Sequence, residues 1–285
     1  MGEMNRVNRR DKKISRRVTL IALMGMLCIM SVLLTGCGDP EKKAAKKSFN
    51  SELDAVNSLL DDRAAEVKKA NESLELKDKA LDDTIKPALK DACNKASEDV
   101  NIPNMPSETD EINAKVKTLK SIEDDLNEQI NDVKNMETEL DKSRKQYKLL
   151  VNPDKKFIVE RLKKVKNVDK VAAVTEDNDP NGNLNKPGGY TAQIYFSSPL
   201  VQDDIFTGDV IEDGTDGGGS IEVYKTVSEA NKRNDYLAGF DGGFLASGSH
   251  AVYGTIIIRT SSELTASQQK NLEKEILTEL TKLSK

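Results

Sequence analysis

One apolar column recurs every seventh residue from Leu53: Leu53, Leu60, Val67, Leu74, Leu81 and Ala88. A seven-residue period keeps such a stripe on one side of a slightly underwound helix, so this stretch is committed to a long helix lying on another helix. Its companion column, Phe49, Val56, Arg63, Ala70, Lys77 and Thr84, is apolar at the start and then decays. A second register follows, with Ile112, Leu119, Leu126, Val133, Leu140 and Tyr147 in one column and Val116, Glu123, Ile130, Glu137, Arg144 and Val151 in the other. One full and one mixed column predict a narrow coiled-coil seam rather than a broad core. Between the registers lies "VNIPNMPSETD", whose prolines stop the first helix and whose Ser107 and Asp110 supply a capping signal for the second. The pattern predicts a helical hairpin over 49–151, with arms of roughly 45 residues reaching about 65 Å and a kink at Pro87. Cys93, near that kink, has only Lys90 and Lys95 as cationic neighbours in sequence and is expected to be packed rather than reactive.

The remainder, 152–285, has a different texture. Only Phe49 and Tyr147 are aromatic between Cys37 and Val151, whereas ten of the aromatic residues follow, from Phe157 to Tyr253. Ile158, Leu162 and Val165 have helical spacing, "KVAAVTE", "YTAQIYF" and "SIEVY" read as strands, and "AVYGTIIIRT" reads as one further strand rich in β-branched residues. Thr226 with Glu229, and Thr265 with Gln268, match capping boxes that open two more helices. The order α-β-β-β-α-β-α predicts an α+β fold: a long helical hairpin, then a small sandwich with helices on one face of a mainly antiparallel sheet.

The start of the chain carries Arg6, Arg9, Arg10, Lys12, Lys13, Arg16 and Arg17, then an uncharged apolar stretch from Val18 to Leu34, then Leu34-Thr35-Gly36-Cys37. The order basic, apolar, small is that of a secretory signal peptide, and the last quartet resembles the lipobox of bacterial lipoproteins. The resemblance implies a signal peptide over 1–36, a diacylglyceryl thioether on Cys37, a tether over 37–48 and a location on the extracytoplasmic face of the cell membrane. Two acyl chains anchor far better than one, each buried CH₂ contributing about 0.8 kcal/mol. Cys28 would leave with the signal and Cys37 would carry lipid, so Cys93 alone has no partner for a disulfide. A single histidine, His250, excludes a histidine-rich metal site. Without residues 1–36 the chain has 36 basic and 46 acidic residues, which argues against nucleic acid as a partner. Lys42, Lys43, Lys46 and Lys47 follow the lipid site, where they suit anionic head groups or a wall polymer.

"DPNGNLNKPGGYTAQIYF", "GGSIEVYKTVSEANKRNDYL" and "VYGTIIIRTSSELTASQQ" resemble successive blocks of an uncharacterised module of Gram-positive surface proteins, with Arg233 and Tyr236 at the positions of an Arg-x-x-Tyr face. That resemblance implies an architecture and a cell-surface location, without an activity. Asp177, Asp179, Asn181 and Gly182 fall at positions 1, 3, 5 and 6 of a calcium loop, but position 12 is Gly188 and Pro180 interrupts it, so an Asx turn is the expectation and no metal is assigned. "VQDDIFTGDVIEDGTDGGGS" gathers Asp203, Asp204, Asp209, Glu212, Asp213 and Asp216, and is expected to be a mobile surface loop, with a weak cation or basic-ligand contact as the alternative. No nucleophile elbow surrounds Ser220, Ser247 or Ser249, and His250 stands in no triad order. The expectation is a lipid-anchored surface protein, not an enzyme, with no cofactor beyond the lipid, serving interaction or envelope structure. A ligand- or ion-binding receptor is the alternative, and an unrecognised hydrolase the third reading.

Overall fold

The computed structural model describes residues 39–202, 207–243 and 248–284, so the expected signal peptide, Cys37, Asp203 and Asp204 lie outside the described residues. The fold is α+β, with long N-terminal helices followed by a five-stranded antiparallel sheet and its own helices. Helix α1 (Pro40–Leu74) begins with Pro40 at its first turn, where the missing N–H costs nothing, and with the Asp39 carboxylate accepting the Glu41 amide at 3.0 Å. It therefore includes most of the stretch expected as tether, and Ala45 is already buried. Helix α2 (Ile85–Lys95) and helix α3 (Thr109–Lys148) complete the bundle.

The two long helices meet as the heptads predict, but with the same polarity. Phe49 and Val56 pack near Ile112 and Leu119, while Val67 and Ala70 pack with Val133 and Leu140. Cross-links keep the same order, from Lys120–Glu52 at 3.4 Å to Lys69–Glu137 at 2.6 Å and Lys148–Asp78 at 2.8 Å. The chain returns between them by way of α2, whose Leu89 and Cys93 join the Val67–Leu140 cluster, and then by an extended stretch in which Val100, Ile102 and Met105 cover Phe49 and Ile112. "VNIPNMPSETD" is thus part of a return path rather than the tip between two opposed arms.

Local chemistry explains the break after Leu74. Arg144 of α3 donates to the Ser73 carbonyl at 2.6 Å and to its hydroxyl at 2.8 Å, supplying a partner for one of the orphan acceptors at the end of α1. Ser143 then accepts the amides of Leu81, through its carbonyl at 3.2 Å, and of Asp82, through its hydroxyl at 2.9 Å. Pro87 falls in the first turn of α2, so it starts a short helix instead of kinking a long one. Helix α3 is capped by Glu108 without a side-chain bond, and Ser107 does not serve as its cap. The more buried column of α1 is also the mixed one: Phe49, Val56 and Ala70 are essentially inaccessible, while Leu53 and Leu60 are half-buried and Ala88 is exposed.

The module contains α4 (Lys155–Leu162), β1 (Val171–Ala173), β2 (Ala192–Ser197), β3 (Gly218–Val223), α5 (Val227–Ala238), β4 (His250–Tyr253), β5 (Ile256–Thr260) and α6 (Ala266–Leu280). The sheet order is β1-β2-β3-β5-β4, antiparallel throughout. Both expected capping boxes are present, on α5 and α6. "AVYGTIIIRT" is not one strand but the hairpin β4–β5, turned at Gly254 with φ 63°. A Cβ there would sit 2.5 Å from the Leu150 carbonyl oxygen, so the turn needs glycine twice over.

Alternation sends Ile194, Phe196, Ile221, Val223, Ile256 and Ile258 to one face, where they pack on Ile158 and Leu162 of α4 and on Leu272, Ile276 and Leu280 of α6. Helix α5 lies on the other face through Ala230 and Leu237 against Tyr224 and Ile257. Helices therefore cover both faces of the sheet, not one as expected. Bundle and module are joined at the end of α3: Leu150 and Leu81 enter the main core, and the Thr255 amide donates to the Leu150 carbonyl at 2.9 Å.

Candidate functional site

The α5 face of the sheet holds a polar set beside its smaller apolar clusters. Period two puts Gln193 and Tyr195 of β2, Ser220 and Glu222 of β3 and Arg259 of β5 on this side. The capping box at Thr226 starts α5 directly after β3, and the spacing Ala230, Arg233, Leu237 turns Arg233 inward.

Glu222 is fully buried at the centre. It accepts Arg233 Nε and Nη2 at 3.0 and 3.1 Å, Arg259 Nη1 at 3.1 Å and the Tyr224 hydroxyl at 2.7 Å. Burial pushes its carboxyl up, but the bonds and charge of Arg233, the charge of Arg259 and the Tyr224 hydroxyl outweigh that and hold it below the usual glutamate range. Burial, with the neighbouring carboxylate, drives the Tyr224 hydroxyl well above its ordinary value. The outer side of Arg233 lies over the Tyr236 ring, 5.4 Å from its centroid, and Phe240 meets Tyr236 edge-on at 5.0 Å.

A second hub closes the side of the site. Asp179 accepts the backbone amides of Asn181, Asn183 and Leu184 at 3.0, 2.7 and 2.8 Å, and also the Tyr190 hydroxyl. Burial opposes its ionisation, yet the Tyr190 hydroxyl and these amides hold its carboxyl below the usual range. Asn181 donates to Gln193 Oε1 at 3.2 Å and to the Tyr195 hydroxyl at 3.3 Å, so the loop is tied to the sheet. Gly189 belongs to the same turn, and a Cβ there would meet the Asn183 carbonyl oxygen at 2.0 Å. Between this loop and α5 lies a cleft of about 410 Å³ lined by Asn181, Asn183, Tyr190, Tyr224, Lys232 and Arg233, among others.

The residues singled out from sequence fall in several places. Asp179 and Asn181 adjoin the cleft, but both oxygens of Asp179 are taken by loop donors, and Asp177 is exposed. Among the described residues no group of three or more His, Cys, Asp or Glu is arranged to hold a metal ion. In the acidic connection, Asp213 accepts the Thr207 and Gly208 amides at 2.7 and 3.1 Å, Asp209 accepts the Ile211 amide at 2.8 Å, and Val210 is buried. In its described part Asp209 makes an Asx turn, and Asp213 reaches back to the amides five and six residues before it.

His250 stands at the start of β4 between Asn234 Oδ1 at 2.8 Å and Asp241 Oδ1 at 3.2 Å. The Ser249 hydroxyl pairs with Thr260 at 2.7 Å and Ser220 with Thr215 at 3.3 Å. Cys93 is buried in the bundle, and burial raises its thiol above the ordinary value. Sequence reasoning missed the Glu222, Arg233, Arg259 and Tyr224 network. A glutamate between Ile221 and Val223, and an arginine ending "IIIR", were the available signals, since a charge inside an apolar strand needs a partner.

A comparison with known proteins finds no matching family model, no similar curated protein and no similar solved structure.

Proposed function

We propose that the chain is a lipid-anchored protein of the extracytoplasmic face of a Gram-positive cell membrane, in which the helical bundle is a stalk that holds the α+β module away from the lipid surface for interaction or envelope structure. The observation that carries this reading is the shared polarity of α1 and α3. Because both run the same way, Pro40 lies at one end of the bundle and the module at the other. At 1.5 Å per residue, the 40 residues of α3 separate them by about 60 Å. A lipid on Cys37 would sit close to Pro40, with Lys42, Lys43, Lys46 and Lys47 on the first turns of α1 beside the head groups.

The test is labelled palmitate incorporation combined with protease shaving of intact cells. Wild type should take up label and lose its module to protease, and Cys37→Ala should take up none because the thiol is the acyl acceptor. Equal labelling of the variant, or a module protected from protease in unlysed cells, would refute the proposal. A second reading, a receptor for a small ligand, draws on the cleft between α5 and the Asp179 loop, where polar groups converge on a recess of ligand size.

A further inference from the structure

Arg233 is held by two of its three nitrogens. Nε and Nη2 are fixed on the buried carboxylate of Glu222, whereas Nη1 makes no hydrogen bond with any described residue, and the side chain is 26 % exposed at the cleft. Arg233 thus brings to the lining of the recess a planar donor group without rotamer freedom left to lose. Asn183 and Lys232 line the same recess and are exposed. One turn along α5 from Lys232, the Tyr236 ring is 59 % exposed, oriented by Arg233 on one side and by the edge contact with Phe240.

The charges around the recess nearly balance, with the Lys186 ammonium beside Gly182 as one further cation. Arg233, Arg259 and Lys232 are matched by Glu222, Glu229 and Asp179. Such a site offers little net field to a polyanion or to a bare cation. It offers instead planar amide and guanidinium groups, each able to engage adjacent hydroxyls, and beyond Arg233, outside the recess itself, the exposed Tyr236 ring, on which a ring with apolar C–H bonds can rest. We infer that the cleft between α5 and the Asp179 loop binds a neutral saccharide, with Arg233, Asn183 and Lys232 on its hydroxyls and Tyr236 beneath a sugar ring.

This inference rests on the receptor reading and is independent of the lipid anchor. The full chain is titrated calorimetrically with neutral tetrasaccharides, cellotetraose and N,N′,N″,N‴-tetraacetylchitotetraose, and in parallel with the anionic tetragalacturonate. At least one neutral sugar should bind saturably, in about the millimolar range, with the affinity falling about five- to tenfold in Tyr236→Ala and in Lys232→Ala. Both changes are on the solvent side of α5 and leave the Glu222 pairs in place. Lys274→Ala on the opposite face of the module should change nothing. Binding of tetragalacturonate alone, weakened by Lys232→Ala, would overturn the assignment to a neutral saccharide and keep the receptor reading. Absence of binding by all three, or neutral binding indifferent to Tyr236→Ala and Lys232→Ala, would overturn the saccharide inference for this cleft.

Discussion

Replacing Glu222 by Gln keeps the shape of the side chain and removes the charge that two guanidiniums share. In the wild type that carboxylate is wholly buried and accepts three arginine nitrogens and one tyrosine hydroxyl. After substitution, the amide NH₂ faces donors, and the positive charges of Arg233 and Arg259 lose their common counter-charge. Breaking a buried pair from one side costs about 3–5 kcal/mol. For a chain of this size each kcal/mol moves the midpoint by about 2–4 °C, so the expected loss is roughly 6–20 °C. Thermal unfolding followed by circular dichroism measures it.

The pH dependence gives a second check. Because the folded-state pKa of Glu222 lies below its unfolded value, its contribution is complete above the ordinary glutamate range and is lost as pH falls through the folded value. The gap between wild type and variant should therefore be flat from about pH 5.5 to 8 and close only in stronger acid. Adding Arg233→Met to the variant should cost much less than Arg233→Met costs alone, since the pair is already broken. A loss below about 3 °C, or additive effects, would refute the view that Glu222 neutralises this face.

Other perturbations follow from the same packing. Burial, then the facing Glu52 carboxyl, pushes the Glu123 carboxyl up to about 7. The folded bundle then binds the proton more tightly than the unfolded chain, so stability should fall as pH rises from about 4.5 to 7, and Glu123→Gln should flatten that slope in pH-dependent urea titrations. Phe49→Ala removes a ring that is essentially inaccessible between α1 and α3 and should cost about 3–5 kcal/mol, whereas Leu60→Ala, at a half-buried site, should cost less. The reverse ranking in urea denaturation would mean the seam lies on the other column. Millimolar calcium should leave the melting temperature unchanged, because both oxygens of Asp179 already accept loop donors. A ligand at 100 times its Kd would add about 2.7 kcal/mol, and a rise abolished by Asp177→Ala would refute this.

The fold was legible where one residue type answers to one local force. The heptads located α1 and α3, Thr226 and Thr265 marked the starts of α5 and α6, and alternation at Ile194, Phe196, Ile221 and Val223 marked strands. Polarity was not legible, because a heptad column states that a helix has a partner and not which way the partner runs. Leu81 and Ala88 continue the first column by spacing alone: Leu81 packs against the module core and Ala88 is exposed. What ends α1 before them is Arg144, more than sixty residues away in sequence, reaching the Ser73 carbonyl. Gly254 was readable as a flaw in a strand, but only contact with Leu150 makes it a turn. The same holds for the site. Glu222 announces a buried charge, while its pairing with Arg259 depends on β3–β5 register and its pairing with Arg233 on α5 crossing that face.

The stalk depends on the direction of α1 relative to α3, and one distance decides it. Spin labels at Lys43→Cys and Lys145→Cys, in a chain with Cys93→Ser and without the other cysteines, report the separation of the two ends of the bundle by double electron–electron resonance. Both positions are exposed and lie on α1 and α3. With the helices parallel, Phe49 is near the level of Ile112, which places Lys43 about 39 residues of rise from Lys145, a distance of about 60 Å. An antiparallel hairpin would bring the same labels within about 20 Å. A distribution centred near 60 Å is the predicted result, and one centred near 20 Å would contradict the parallel stalk.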